Sequence, residues 1–576
     1  MKQIISLFLF LLSLVMGQAQ VNAPEFLHLS TDKPFYVAGE DLWYSVHFLN
    51  PAQRVSKVLY VELFGPKGNL VSAQRLSAEG NIVGGDIVLP AGLSTGYYQL
   101  RAYTLWNLGF EPVQIAEYLL PIYEPILPKN VGQGSAEAVL PSVENKGITL
   151  SLDHDKLPPR GQLAITTESS TWEGLVSLSV VHESALTGGS FESIDESLTN
   201  AESKLGTVRR KSQPGFEPET QVVQSFEIED HAGNPISSNF IVGFVRQSQT
   251  PIQGVAKNGR VDLSLTEIYD TTVIQLFDAN PFKGAYLPKV KEVTRSVKAP
   301  TPSANLNKPP YSPGVVTYLT EYQQRFQLRR LMNLGAELSP KRSTIARREL
   351  TPDLEFPIDD FIPMQSLADF ANQAVPPLSV KPFKPKSKRE LRVSGYPDPS
   401  QSLRLFVPHQ NAVNDQNFPQ RPPLLMVNGY LTYDFQSVFD MDWEKVVQVD
   451  VYNDLARLPF LFGPVGNFGV VAFQTEDGET PASVKGAPNT VNLVGFYPGR
   501  PFREARAELR SEDGSRLPDL RPVVYWNPVL SVPAKSSSRT MVTFGDQPGR
   551  YLVKAEGMLK DGTPVLATQW VEVAFE

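Results

Sequence analysis

The side chains best suited to metal or acid–base chemistry are scattered along this chain. The six histidines are His28, His47, His154, His182, His231 and His409. None is three to five residues from another, which is the spacing of a helical metal site, and no HExxH, GxSxG or P-loop pattern occurs. Acidic pairs such as Asp359–Asp360 are typical of solvated loops. We therefore expect no catalytic residue, no metal site and no cofactor.

The chain contains no cysteine. This excludes thiolate nucleophiles, cysteine zinc sites, an internal thioester and a lipid anchor on an N-terminal cysteine. It also excludes disulfides, so the domains must be held together by burial of apolar side chains.

Aromatic residues form the one concentration of side chains that suggests a function. Five follow the Asn428–Gly429 pair within fourteen residues, and three lie in an apolar segment broken by Gly and Pro, residues 455–469. Exposed Tyr, Trp and Phe supply most of the anchoring energy at protein interfaces, which predicts a partner surface. The alternative is core and hairpin packing. The candidates are Tyr430, Tyr433, Phe435, Phe439, Trp443, Phe460, Phe462 and Phe468.

Residues 422–475 combine an apolar strand, an Asn-Gly turn, a second strand and a Gly-broken loop that leads into a third. The sequences PPLLMVNGYLTYD, WEKVVQVDVYND and GPVGNFGVVAFQT resemble the plug domain of TonB-dependent outer-membrane receptors. Such a receptor needs a barrel of about 22 strands of roughly ten residues each, but only 101 residues follow Thr475. The resemblance implies a small α+β plug-like domain without its own barrel.

Two further segments resemble modules of the alpha-2-macroglobulin superfamily and of related envelope proteins. The segment STDKPFYVAGEDLWYSVHF is similar to the start of the second macroglobulin domain, a seven-stranded β-sandwich. The matching residues are Thr31, Asp32, Lys33, Pro34, Tyr36, Gly39 and Glu40, while Ala38 replaces a second proline. We interpret them as structural. Near the C-terminus, DLRPVVYWNP at 519–528 is similar to a closing module of macroglobulin-plus-plug envelope proteins.

The fold class predicted from these patterns is mainly β, with several macroglobulin/immunoglobulin-like β-sandwiches and the α+β plug-like domain. Lys2, an apolar run at 4–16 and the small residue Ala19 predict a signal peptide over 1–19. The remaining predicted segments are a sandwich at 24–124, a linker at 125–145, sandwiches at 146–215 and 216–290, a linker at 291–357 with a helix at 315–334, the plug-like domain at 358–478 and a sandwich at 488–576.

The net charge of −8 argues against binding to nucleic acid. The expected function is that of a non-enzymatic scaffold, exported and associated with the outer membrane on its periplasmic or cell-surface side. The plug-like domain is expected to dock to, or occlude, a β-barrel protein such as a transporter, a type 9 secretion translocon or a barrel-assembly machine. The alternative is a macroglobulin-like protease trap without a thioester.

Overall fold

The structure is a computed structural model in which two compact units are distinguished. Unit 1 comprises residues 1–220, 297–343 and 497–576, and unit 2 comprises 221–296 and 344–496. The described residues are 23–50, 54–128, 142–212, 215–265, 268–280, 284–293, 299–302, 307–331, 350–375, 378–381, 402–405, 423–504 and 518–575. The predicted signal peptide and most of the predicted linker at 125–145 lie outside them.

Unit 1 begins with a β-sandwich. Its strands are β1 (Leu27–Thr31), β2 (Tyr36–Val37), β3 (Asp41–Phe48), β4 (Val58–Phe64), β5 (Leu70–Ser77), β6 (Ile82–Val88), β7 (Gly96–Tyr103) and β9 (Ala116–Tyr123). One sheet has the order β1-β3-β6 and the other β2-β9-β7-β4-β5. Alternate residues, such as Tyr44 and Val46 on β3 and Val61 and Leu63 on β4, enter the common core, and the opposite face of β3 is buried as well.

A second β-sandwich of unit 1 is assembled from two distant parts of the chain. Its strands are β10 (Glu144–Lys146), β11 (Thr149–Leu152), β12 (Lys156–Leu157), β13 (Gln162–Glu168), β14 (Gly174–His182), β31 (Val523–Val532), β32 (Ser537–Thr543), β33 (Gly549–Leu559) and β34 (Pro564–Val573). The sheets have the orders β10-β34-β33-β14-β31, with β12 beside β34, and β11-β13-β32. The separate sandwiches predicted at 146–215 and 488–576 are therefore one, because β14 pairs on both sides with C-terminal strands.

Helices complete unit 1. The short α1 (Leu105–Leu108) leads into β8 (Phe110–Glu111), which pairs with β15 (Arg209–Arg210). Ser193 and Glu196 form a capping box at the start of α2 (Ile194–Lys204). The helix α3 (Pro313–Leu331) begins two residues before the predicted one, and 332–334 lie outside the described residues. Val315, Tyr318 and Leu319 of α3 are fully buried, so this connecting segment contributes to a core.

Unit 2 contains an eight-stranded antiparallel sheet. Its strands are β16 (Val222–Glu229), β17 (Ser238–Val245), β18 (Thr250–Lys257), β19 (Arg260–Leu265), β20 (Thr271–Asn280), β21 (Gly284–Tyr286), β22 (Lys289–Val293) and β30 (Thr490–Val494). The order is β21-β20-β17-β18-β19-β16-β22, with β30 also on β20. Residues 490–494, predicted to belong to the C-terminal sandwich, therefore join this sheet by pairing with 271–275.

The rest of unit 2 is an α+β domain. Its mixed sheet has the order β23-β28-β29-β26-β27. The elements are β23 (Leu354–Pro357), α4 (Leu367–Gln373), β24 (Leu378–Lys381), β25 (Ser402–Leu405), β26 (Leu424–Val427), β27 (Tyr430–Thr432), α5 (Phe435–Phe439), β28 (Val446–Tyr452), α6 (Leu458–Phe462), β29 (Val470–Thr475) and α7 (Ala482–Lys485). Because β23 pairs with β28, the domain begins before the predicted residue 358. The predicted fold class, mainly β with several sandwiches and a small α+β domain, is confirmed.

Candidate protein-interaction site

The Asn428–Gly429 turn fixes the first of the candidate aromatic residues. Both residues have positive φ angles, 48° for Asn428 and 84° for Gly429, and a two-residue hairpin turn requires this backbone conformation. Arg246 donates two hydrogen bonds of 3.2 Å to the carbonyl oxygen of Asn428. The guanidinium of Arg246 also lies 4.4 Å from the ring centre of Tyr430, which is buried. Arg246 therefore contacts both the turn and the Tyr430 ring within unit 2.

The next four candidates pack inside the α+β domain. Phe435 and Trp443 are buried, and the Trp443 ring lies 5.1 Å from that of Phe370 on α4. Phe439 is half-buried against the same core. The Tyr433 hydroxyl is buried and donates a hydrogen bond of 3.3 Å to the carbonyl oxygen of Val465. For these residues the structure shows core packing, the alternative interpretation of the aromatic pattern.

The segment at 455–469 is held in place by polar contacts at its start. The Asp353 carboxylate accepts hydrogen bonds from the backbone N–H groups of Asn453 and Asp454, at 2.7 and 2.8 Å. It also pairs with the Arg457 guanidinium, which donates a further bond of 2.7 Å to the carbonyl oxygen of Thr351. These contacts fix the backbone just before α6 begins.

One face of α6 anchors it to the unit. Phe462 is fully buried, with its ring 5.1 Å from that of Tyr452 and 6.0 Å from that of Phe244 on β17. Gly463 ends the helix with a φ of 67°, a conformation that a residue with a side chain rarely adopts. Phe468, further along the segment, is also buried.

Phe460 differs from all the other candidates, because 76% of its surface is exposed. Two residues along an α-helix correspond to a rotation of about 200°, so the burial of Phe462 turns Phe460 away from the core. The sequence places both phenylalanines in one apolar run and does not separate them. The predicted partner surface therefore depends on Phe460, since the other seven candidates are buried or half-buried.

The macroglobulin-like motif of unit 1 forms a buried ion-pair cluster that the sequence does not indicate in full. Lys33 Nζ lies 2.6 Å from a Glu40 carboxylate oxygen and donates a bond of 3.1 Å to the Tyr318 hydroxyl. The Tyr36 hydroxyl donates to the Asp32 carboxylate. Burial raises the pKa of Asp32 to about 7, although Lys33 and Tyr36 act in the opposite direction. Asp32, Lys33 and Tyr36 are buried, and Glu40 is only partly exposed, which is consistent with the structural role expected from the sequence.

No cluster of three or more His, Asp or Glu side chains that could hold a metal ion occurs within the described ranges. In the same part of the chain, no helix combines the length and the apolar character that crossing a membrane requires.

The chain matches no protein-family model and no curated protein sequence. Among solved structures, it is similar to the alpha-2-macroglobulin of Salmonella reacted with methylamine, at 10% identity and a TM-score of 0.24, over 96% of this chain and 40% of that one. The alpha-2-macroglobulin of Escherichia coli activated by porcine elastase gives 10% identity and a TM-score of 0.24, over 95% and 43%. The FdeC adhesin of E. coli is similar at 10% identity and a TM-score of 0.12, over 44% of this chain and 92% of that one. The chain thus spans less than half the length of the alpha-2-macroglobulins that it resembles.

Proposed function

We propose that this protein is a non-enzymatic accessory protein of the outer membrane that docks to a β-barrel protein through the α+β domain of unit 2. The single observation that carries the proposal is the exposure of Phe460 on a segment whose backbone is fixed. A large exposed aromatic side chain on a rigid support loses little conformational entropy when a partner buries it. The resemblance of residues 422–475 to receptor plugs is the reason for choosing a β-barrel as the partner.

Several contacts support a preformed docking element. Asp353 and Arg457 fix the start of α6, and Phe462 anchors its inner face. The helix packs against β18, on which Val255 is half exposed. Full burial of a phenylalanine contributes about 1.5–3 kcal/mol, so Phe460 can provide a substantial part of a weak or transient interface.

Affinity purification from detergent-solubilised outer membranes tests this function. The tagged wild-type chain is expected to retain a β-barrel protein, identified by mass spectrometry, and Phe460→Ala is expected to lose most of it. Ile362→Ala is the matched control, because Ile362 is 75% exposed in the same unit. Elution of the wild-type chain without any β-barrel protein would contradict the proposal.

The same preparation distinguishes the protease trap. A trap is cleaved in an exposed segment and then changes shape around the protease, whereas a docking protein does neither. Incubation with several proteases, followed by sedimentation analysis, is expected to give ordinary fragments without a retained protease. Cleavage-driven compaction with a captured protease would favour the trap.

A further inference from the structure

A groove of about 280 Å³ lies in unit 1 where the edges of two sheets meet. One wall is β6, the edge strand of the sheet β1-β3-β6, and the other is β31, the edge strand of the sheet that contains β14. The strands are close because position 84 is glycine: a Cβ there would lie 2.3 Å from the Pro528 ring. The volume is just below the range of about 300–1,000 Å³ usual for small-molecule pockets, so it suits a short extended segment better than a large ligand.

Aromatic and proline rings form part of the lining of this groove. They belong to Trp43, Pro501, Phe502, Tyr525, Trp526 and Pro528. The Trp43 and Phe502 rings meet edge to face, with centres 5.3 Å apart, and Phe502 is half-exposed. Aromatic-lined grooves of this kind recognise polyproline II segments, whose rigid backbone loses little entropy on binding.

The polar groups of the groove match the same ligand. The indole N–H of Trp526 is buried and has no hydrogen-bond partner among the described residues. Backbone carbonyl groups of a polyproline II segment make no internal hydrogen bonds, so they remain free to accept from donors that border the groove. A segment rich in proline brings few N–H donors that would need acceptors in return.

The charge of the groove favours a basic residue in the ligand. Arg500 lines the groove, but its guanidinium is already held by Asp86 and by Asp41, the latter at 2.7 Å. Glu504 adds an exposed carboxylate to the lining. Because Asp41 and Asp86 already compensate the charge of Arg500, Glu504 leaves the rim of the groove with a negative charge.

We propose that this groove binds an extended, proline-containing peptide segment with an arginine or lysine next to the prolines. Phe502 provides the main contact with the proline rings, beside the mostly buried Trp43 and Trp526, and Glu504 pairs with the basic side chain. This site lies in unit 1 and does not depend on docking through Phe460.

Titration of the full chain with a short, terminally blocked peptide of proline, arginine and lysine tests the site. Two of the six tryptophans line the groove, so binding is expected to change the intrinsic fluorescence saturably, and calorimetry gives the affinity independently. Phe502→Ala is expected to weaken binding about tenfold or more. Glu504→Gln is expected to weaken it about threefold and to reduce its dependence on salt.

Trp172→Ala is the control, because Trp172 is 54% exposed elsewhere in unit 1, and binding is expected to be unchanged. Circular dichroism shows whether each variant is folded. If Phe502→Ala does not fold, Glu504→Gln still tests the site, because position 504 is exposed. Equal binding of a peptide in which alanine replaces every proline would overturn the proposal. So would unchanged binding by both groove variants.

Discussion

The hydroxyl of Tyr318 donates a hydrogen bond of 2.6 Å to the Glu40 carboxylate, although 278 residues separate them in the chain. The same hydroxyl accepts a bond of 3.1 Å from Lys33 Nζ. Tyr318 thus connects α3 to Lys33 and Glu40, two of the three acidic or basic residues of the macroglobulin-like motif. Since Tyr318 and Lys33 are both buried, removal of the hydroxyl leaves Lys33 Nζ with one acceptor fewer.

Tyr318→Phe is therefore expected to lower the free energy of unfolding by about 1.5–3 kcal/mol, the range for hydrogen bonds to charged groups. Urea unfolding of unit 1, followed by tryptophan fluorescence, measures the change. Thr320→Ala on the exposed face of α3 serves as the control and is expected to change stability by less than about 0.5 kcal/mol. Equal stability of Tyr318→Phe and the wild type would show that the cluster does not hold α3.

The burial of His47 leads us to expect that the stability of unit 1 depends on pH. Burial, assisted by the nearby His28, lowers the pKa of His47 from 6.5 to about 3. The carboxylate of Glu556 acts in the opposite direction, and Lys554 reinforces the lowering. Between these pH values the unfolded chain binds a proton that the folded chain does not. The contribution of His47 is therefore complete above pH 6.5 and is lost as the pH falls towards 3.

At about 1.4 kcal/mol per pKa unit, the shift of the His47 pKa from 6.5 to about 3 corresponds to a loss of about 5 kcal/mol over this window. In His47→Gln the amide can still bond to the Ser45 hydroxyl, which lies 2.9 Å from the imidazole. This variant is expected to be less stable than the wild type at pH 7.5 and to approach or exceed it at pH 4.5. His154→Gln, at an exposed position in the same unit, serves as the control. If the free energy of unfolding changed with pH in the same way for His47→Gln and the wild type, the pH dependence would not come from His47.

Phe460 and Phe462 are expected to respond in opposite ways to the same substitution. Phe462→Ala removes a fully buried ring and is expected to cost about 3–5 kcal/mol. Phe460→Ala removes an exposed ring and is expected to change stability by less than about 0.5 kcal/mol. Thermal unfolding of the two variants provides the comparison. A large destabilisation by Phe460→Ala would place this side chain in the core and remove the evidence for a partner surface.

From the strand pairing in the second sandwich of unit 1, we expect that its N-terminal part cannot fold alone. Residues 142–212 carry β14 but lack both of its neighbours, β31 and β33. As a separate fragment they are expected to have the circular dichroism of an unfolded chain. Addition of residues 518–576 is expected to restore the β signal. Cooperative unfolding of the first fragment alone would contradict the pairing.

Local features of this fold could be predicted from the sequence, and distant pairings could not. The Asn428–Gly429 pair predicts its hairpin turn because only a few residue types accept a positive φ. The β-branched and aromatic residues along β3 and β4 likewise indicate strands, although burial of both faces of β3 could not be predicted. By contrast, nothing local in residues 174–182 identifies residues 549–559 as partners. Phe460 could not be distinguished from Phe462, because that requires knowing where a five-residue helix begins.

Photocrosslinking from position 460 tests the central claim most directly. A photoreactive phenylalanine analogue replaces Phe460, and position 362, which is also strongly exposed in unit 2, provides the control. Irradiation of intact cells is expected to join position 460, but not position 362, to a β-barrel protein of the outer membrane. The absence of a β-barrel adduct from position 460, or equal adducts from both positions, would contradict docking through α6.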